Sequence, residues 1–147
     1  MRKNLKMICI VTALAIAFAV PVHAKEVETR SSAYISAYDS ALVAGTGPEL
    51  HIWFNVLGSG RMDEIGASEI KVQRSPTGTG DWTTVKIFTK ADYPQMVCQD
   101  TGYHNTHVTY YGLTGHYYRA IVTVYAAKGN GAGYLVDYAE VIYLSPI

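Results

Sequence analysis

The clearest alternation of apolar and polar positions along the chain runs from residue 49 to residue 57. The even-numbered positions are apolar and the positions between them carry mixed side chains: Leu50, Ile52, Phe54 and Val56 against His51, Trp53 and Asn55. Successive side chains of a strand point to opposite faces of its sheet. The segment is therefore predicted to be a strand that buries its even-numbered face.

The longest alternating segment follows a glycine-containing turn and runs from residue 116 to residue 127. It is rich in β-branched and aromatic residues, which favours a strand at the centre of the fold. One parity is predicted to face the core: Tyr118, Ala120, Val122 and Val124. The other is predicted to face outward: Tyr117, Arg119, Ile121, Thr123 and Tyr125. A slip of one residue would exchange the two faces.

Turn-forming residues separate five further predicted strands, at 33–44, 69–74, 82–89, 104–111 and 134–144. Residues 61–68 are predicted to be a connecting loop with a short helical turn at 62–65. Residues 90–103 hold no period and include Pro94 and Gly102, so they are predicted to cross the surface as a loop. Seven short strands of this kind predict an all-β fold, a seven-stranded Greek-key β-sandwich.

Two parts of the sequence resemble fibronectin type III and immunoglobulin-like domains. Leu50, Ile52 and Phe54 match the two aliphatic residues and the aromatic residue of that family's second strand, with Phe54 in place of its tryptophan. The second part resembles its sixth strand and tyrosine corner: Leu113, Tyr117, Tyr118, Ala120, Val122, Val124 and Ala126. The chain as a whole resembles small exported single-domain proteins of Gram-positive bacteria that have no assigned function. The resemblance covers roughly residues 33–144 and implies a fold but no catalytic residue.

The first 24 residues have the three parts of a secretory signal peptide. Arg2, Lys3 and Lys6 form a basic start, residues 7–20 are apolar, and Val22 and Ala24 place small residues at the cleavage positions. We expect cleavage after residue 24, a lead-in segment at 25–32 and the β-sandwich domain at 33–147. The protein would then be secreted, extracellular or cell-wall associated, with no membrane insertion after cleavage. A retained leader would instead anchor it.

Charge and cysteine content narrow the possible partners and the source of stability. Loss of Arg2, Lys3 and Lys6 takes three of the 12 basic residues and none of the 12 acidic ones, so the mature chain has a formal net charge of −3. Its remaining cations are scattered, whereas nucleic acid binding needs them clustered, so no nucleic acid partner is expected. Of the two cysteines, Cys9 leaves with the leader and Cys98 remains. An internal disulfide is therefore excluded, and the core must supply the stability.

The most chemically suggestive cluster contains four residues that could bind a metal ion: Cys98, His104, His107 and His116. Two imidazoles three positions apart on a strand face opposite sides, as His104 and His107 would. We therefore predict no metal and no cofactor here, but surface histidines and one buried thiol. The alternative is a small extracellular metal-dependent or hydrolytic enzyme that uses the 90–107 loop.

The aromatic residues carry the main functional hypothesis, because all 12 tyrosines and both tryptophans lie outside the leader. The predicted outward face of the central strand and its neighbour forms a candidate binding face: Tyr117, Arg119, Ile121, Tyr125 and Tyr138. Trp53 and His51 form a second, smaller candidate on the opposite sheet. This composition is typical of contact surfaces. We therefore predict a non-enzymatic protein that binds a protein or a cell-surface glycan, or associates with itself. A structural cell-envelope component, assembled through Cys98, is the third possibility.

Overall fold

The computed structural model describes residues 32–146 and consists of seven strands in one antiparallel sheet. The strands are β1 (Ile35–Ala44), β2 (Glu49–Ser75), β3 (Thr83–Thr89), β4 (Val97–Tyr111), β5 (His116–Lys128), β6 (Gly131–Tyr138) and β7 (Ile142–Leu144). A 3₁₀ turn, Pro94–Met96, precedes β4. The prediction of an all-β fold is confirmed. The predicted signal peptide and nearly all of the lead-in lie outside the described residues. Within residues 32–146 no helix is long and apolar enough to span a membrane.

The strand β2 is 27 residues long and organises the sheet. Along one edge it pairs first with β4, over residues 49–66, and then with β3, over residues 69–74. Along the other edge it pairs first with β1 and then with β5. The strands β6 and β7 extend the sheet beyond β5. The sheet curls into a half-barrel, so the inward faces of the two halves of β2 contribute to one core.

The predicted break between strands at 49–57 and 69–74 is wrong. Residues 61–68 continue β2, with no helical turn. Register irregularities lie between Leu57 and Met62 and between Ala67 and Glu69. Such irregularities bend a strand without ending it, and they keep Met62, Ile65 and Ala67 in the core. The glycines at 58 and 60, which predicted a turn, lie inside the strand.

Two other boundaries differ from the prediction. The predicted surface crossing at 90–103 is wrong in its second half, because β4 begins at Val97 and pairs with residues 64–66 of β2. Pro94 is confined to the 3₁₀ turn, where its missing N–H costs no sheet hydrogen bond. The predicted last strand divides into β6 and β7. Ala139 lies between β6 and β7, and its N–H donates to the Ala120 carbonyl at 3.0 Å. The connection between these two strands therefore stays hydrogen-bonded to β5.

The predicted register of β5 is confirmed for its core side. Ala120, Val122 and Val124 are buried and pair with residues of β2 on one edge of β5. Tyr118 is also fully buried, and its hydroxyl donates to the Leu113 carbonyl at 3.0 Å and accepts from the Leu113 N–H at 2.6 Å. This residue thus closes the turn that leads into β5 while its ring fills the core.

We expect Gly66→Ala to destabilise the fold strongly. Gly66 has a φ of 151°, which side-chain-bearing residues rarely adopt, and an added Cβ would overlap the Met96 carbonyl oxygen and lie 2.8 Å from the Val97 Cα. Both contacts are with backbone and cannot relax cheaply, so the free energy of unfolding should fall by about 3 kcal/mol or more. Urea denaturation measures the loss. The matched control is Gly60→Ala in the same strand, which meets no atom within 4 Å and should change stability by about 0.5 kcal/mol or less.

Candidate functional site

The outward side of β3, β5, β6 and β7 carries an exposed apolar surface, which we call the tyrosine face. Four of its members are exposed, Ile87, Tyr134, Tyr138 and Tyr143, and two are half-buried, Tyr117 and Ile121. Its central row crosses the sheet through the pairs Ile87 with Lys71, Lys71 with Ile121, and Ile121 with Tyr138. Tyr138 is 62% exposed and Tyr134 is 57% exposed. The predicted exposure of Tyr138 is confirmed, and it lies beside Ile121 as the sequence predicts.

Tyr117 and Arg119 point outward, but both are partly covered. The ring of Tyr117 packs on Tyr143 with centroids 4.9 Å apart and lies under the turn at Gly78. The Arg119 guanidinium stacks over the Trp82 ring at 4.4 Å, and its Nε donates to the Gln73 side-chain oxygen at 2.7 Å. The Arg119 side chain is therefore engaged within the protein, at the border of the tyrosine face, although the sequence analysis included it in the candidate binding face.

The predicted exposure of Tyr125 is wrong. Its ring is 8% exposed because Tyr134 packs on it at 5.0 Å and the Lys90 ammonium lies 4.0 Å from its centroid. Lys90 comes from the turn after β3, which the sequence could not place over β5. Tyr125 therefore supports the tyrosine face from below. The exposed positions belong instead to Tyr134 and Tyr143, which the sequence analysis did not single out.

A polar network holds Lys90 in this position. The Lys90 ammonium forms an ion pair with the Glu64 carboxylate, whose other oxygen accepts from the Gln99 amide at 2.6 Å. The hydrogen bond from Lys90 lowers the pKa of Glu64, against a smaller opposing effect of burial. Burial alone would lower the pKa of Lys90, but Glu64 and Tyr125 raise it overall. Both groups are therefore charged at neutral pH, and each stabilises the other.

The second predicted surface contains Trp53 and His51 and lies on the β2 and β4 half of the sheet. Trp53, 40% exposed, stacks on His107 of β4 with centroids 4.3 Å apart. His51 meets the same imidazole edge-on at 5.3 Å and shares a 3.0 Å hydrogen bond with Thr109. His107, which the sequence analysis placed in a metal cluster, thus belongs to this aromatic group as the cross-strand partner of Trp53.

The four residues of the candidate metal cluster lie at separate places. His104 faces the ring of Phe54 and contacts the Gln95 carbonyl, while His107 faces outward onto Trp53. The two imidazoles thus face opposite sides of β4, as the sequence analysis predicted for His104 and His107. His116 begins β5 and contacts the Thr114 carbonyl. Cys98 is exposed, so the prediction of a buried thiol is wrong. Among residues 32–146 no three His, Cys, Asp or Glu side chains are placed to hold a metal ion.

A groove between β3 and β4 escaped the sequence analysis. It has a volume of about 410 Å³ and is lined by Lys86, Phe88, Tyr93, Thr109, Tyr110 and Tyr111. We call it the Lys86 groove. The adjacent tyrosines 110 and 111 were the available signal, but the groove depends on β3 and β4 following the same edge of β2. That arrangement is not visible in the order of residues.

A scan against protein-family models, a search of curated proteins and a search of solved structures each found no match.

We expect acid to weaken the fold partly through Glu64. Because the pKa of this carboxyl is lowered in the folded state, its stabilising effect is present above the ordinary value of 4.5 and is lost as the pH falls through the folded value. The urea midpoint of the native protein should therefore drop more between about pH 6 and about pH 3 than that of Glu64→Gln. The control is Glu69→Gln, which breaks an exposed pair with Lys71 and should follow the native profile. Identical profiles for native protein and Glu64→Gln would contradict the expectation.

Proposed function

We propose that the chain is an exported, non-enzymatic binding domain that recognises another protein through the tyrosine face. The observation that carries the proposal is the outward row that crosses four strands from Ile87 through Lys71 and Ile121 to Tyr138, with exposed apolar side chains at both ends. A contiguous exposed apolar surface is typical of an interaction site, and tyrosine is enriched in such sites. Export is supported by the leader-like residues 1–24.

The composition of the face favours a protein partner over a glycan. Its central row holds two aliphatic side chains, Ile87 and Ile121, on either side of Lys71, and aliphatic side chains contribute by apolar burial against complementary side chains. Tyr134 packs on Tyr125, which the Lys90 ammonium contacts in turn. A partner would therefore find Tyr134 already held in place and would lose little conformational entropy in ordering it.

Two features support the finer proposal of a Greek-key β-sandwich related to fibronectin type III and immunoglobulin-like domains. β1 and β4 flank the first half of β2, and β3 and β5 flank the second half, with β6 beyond β5. This grouping resembles two layers that share one strand. The hydroxyl of Tyr118 bonds to the backbone of Leu113 just upstream, as the tyrosine corner of such domains does.

We expect the double variant Tyr134→Ala, Tyr138→Ala to lose its partner. Both side chains are exposed, so their removal should change the free energy of unfolding by about 1 kcal/mol or less. Loss of two exposed aromatic contacts on this face should weaken binding at least tenfold, as about 1.4 kcal/mol does. The measurement is quantitative capture of cell-surface proteins on the immobilised domain.

The control for that experiment is Tyr103→Ala, which removes a tyrosine that is 50% exposed on β4, away from the tyrosine face. Capture should be unaffected by this change. Equal capture by the native domain and the double variant would overturn the proposal. Sedimentation of the purified domain identifies the case in which the partner is a second copy.

A structural envelope role is a second candidate, favoured by the exposure of Cys98. An accessible thiol in an oxidising compartment can form a disulfide with a second copy, whereas a buried one cannot. We expect protein purified from the cell surface to run as a dimer on non-reducing gels and as a monomer after reduction. Cys98→Ser should remove the dimer. A monomer in both gels would contradict this role.

A further inference from the structure

The Lys86 groove opens at the side of the half-barrel where β3 and β4 diverge. Lys86 and Phe88 are on the inward side of β3, since they pair with the buried residues Val72 and Ile70. Ile87 lies between them and faces outward, on the tyrosine face. The groove and the tyrosine face are thus on opposite sides of β3, and a ligand in one leaves the other free. A volume of about 410 Å³ falls within the range of about 300–1,000 Å³ that is usual for small-ligand sites.

Aromatic rings line the groove, and polar groups line its rim. Phe88 is buried at the base and meets Tyr93 at 4.8 Å. Tyr110 is partly buried and lies 6.1 Å from the core residue Tyr118. Tyr111, by contrast, is largely exposed. Ring faces next to hydroxyl groups suit a ligand that has both carbon-bound hydrogens and hydroxyls at its surface.

A positive charge lies in the groove. Among the lining residues within 32–146 only Lys86 is charged, and its ammonium lies 5.2 Å from the Phe88 centroid and 5.5 Å from the Tyr93 centroid. Within residues 32–146 Lys86 forms no ion pair with a carboxylate. Two acidic residues close in sequence to the lining are engaged elsewhere: Glu49 with His51, and Asp92 with Thr89. A cation held over rings without a counter-ion favours an anionic ligand.

The protonation state of Tyr110 is also compatible with an anionic ligand. Burial and the neighbouring Tyr118 raise the pKa of Tyr110, while the charges of Arg74 and Lys86 partly offset the rise. The hydroxyl is therefore protonated at neutral pH and can donate a hydrogen bond.

We propose that the Lys86 groove binds an acidic saccharide, with a pyranose ring packed on Tyr110, its carboxylate beside Lys86 and Tyr111 at the rim. The faces of sugar rings present carbon-bound hydrogens to the negative faces of aromatic rings. The hydroxyls of the tyrosines are available to sugar hydroxyls. A purely apolar ligand would leave these groups and the ammonium without partners, which disfavours it.

The test uses two defined probes, digalacturonic acid and its neutral counterpart galactobiose. Each is titrated into the full domain, with affinity from calorimetry and location from amide chemical shifts. We expect saturable binding of the acid, with shifts at residues 86–93 and 109–111. Lys86→Gln should weaken this binding about tenfold, as loss of about 1.4 kcal/mol does, and should abolish the preference over galactobiose. Tyr111→Ala should weaken both sugars.

The matched control is Tyr134→Ala, which alters the tyrosine face and should leave sugar binding unchanged. Thermal melting checks that Lys86→Gln remains folded, and Tyr111→Ala provides a second variant whose side chain is mostly in solvent. Three results would each overturn the proposal. The first is no shift at the groove up to about 10 mM digalacturonic acid, a concentration at which a site with a dissociation constant of about 1 mM would be nearly saturated. The others are equal affinity for galactobiose and native affinity in Lys86→Gln. None of these results bears on protein binding by the tyrosine face.

Discussion

The structure depends on the continuity of β2 through its bend. Four strands pair with this one strand, two on each edge, so every part of the core is built against it. The bend requires backbone to approach closely at Gly66, where the Met96 carbonyl occupies the place of a side chain. Here Lys90 and Gln99 meet Glu64, so the polar network lies where the strand changes partners. Geometry at the bend therefore determines how the two halves of the sheet face each other.

Local patterns in the sequence predicted strands well but predicted their connections poorly. The alternation over residues 49–57 and 116–127 correctly gives the buried faces, because one side of each strand packs on the core. The region 58–68 contains three glycines and an irregular period, which are signals for a loop and also for a strand with bulges. Only the pairing partners on both edges decide between these possibilities, and those partners are distant in sequence.

The candidate sites show the same division between local and distant information. The alternation of side chains along each strand was enough to place Tyr138 and Ile121 outward. Tyr125 lies on the same side of β5 as Ile121, but it is buried. Its cover, Lys90, comes from another part of the chain. The groove beside Lys86 depends likewise on β3 and β4 following one edge of β2. Parity gives the direction of a side chain, whereas its exposure depends on what the rest of the chain lays over it.

The position of β2 also has a consequence for the order of events in folding. β1 and β2 are close in sequence, but the second half of β2 pairs with β5. Glu64 therefore meets Ala127 only when the long segment that contains β3 and β4 has been closed into a loop. Closing such a loop costs entropy before the contacts compensate for it, and folds of this kind are slow. During synthesis the inward side of β2 would stay open to solvent until β5 had emerged. A chain exported in an unfolded state meets this difficulty only after it has crossed the membrane.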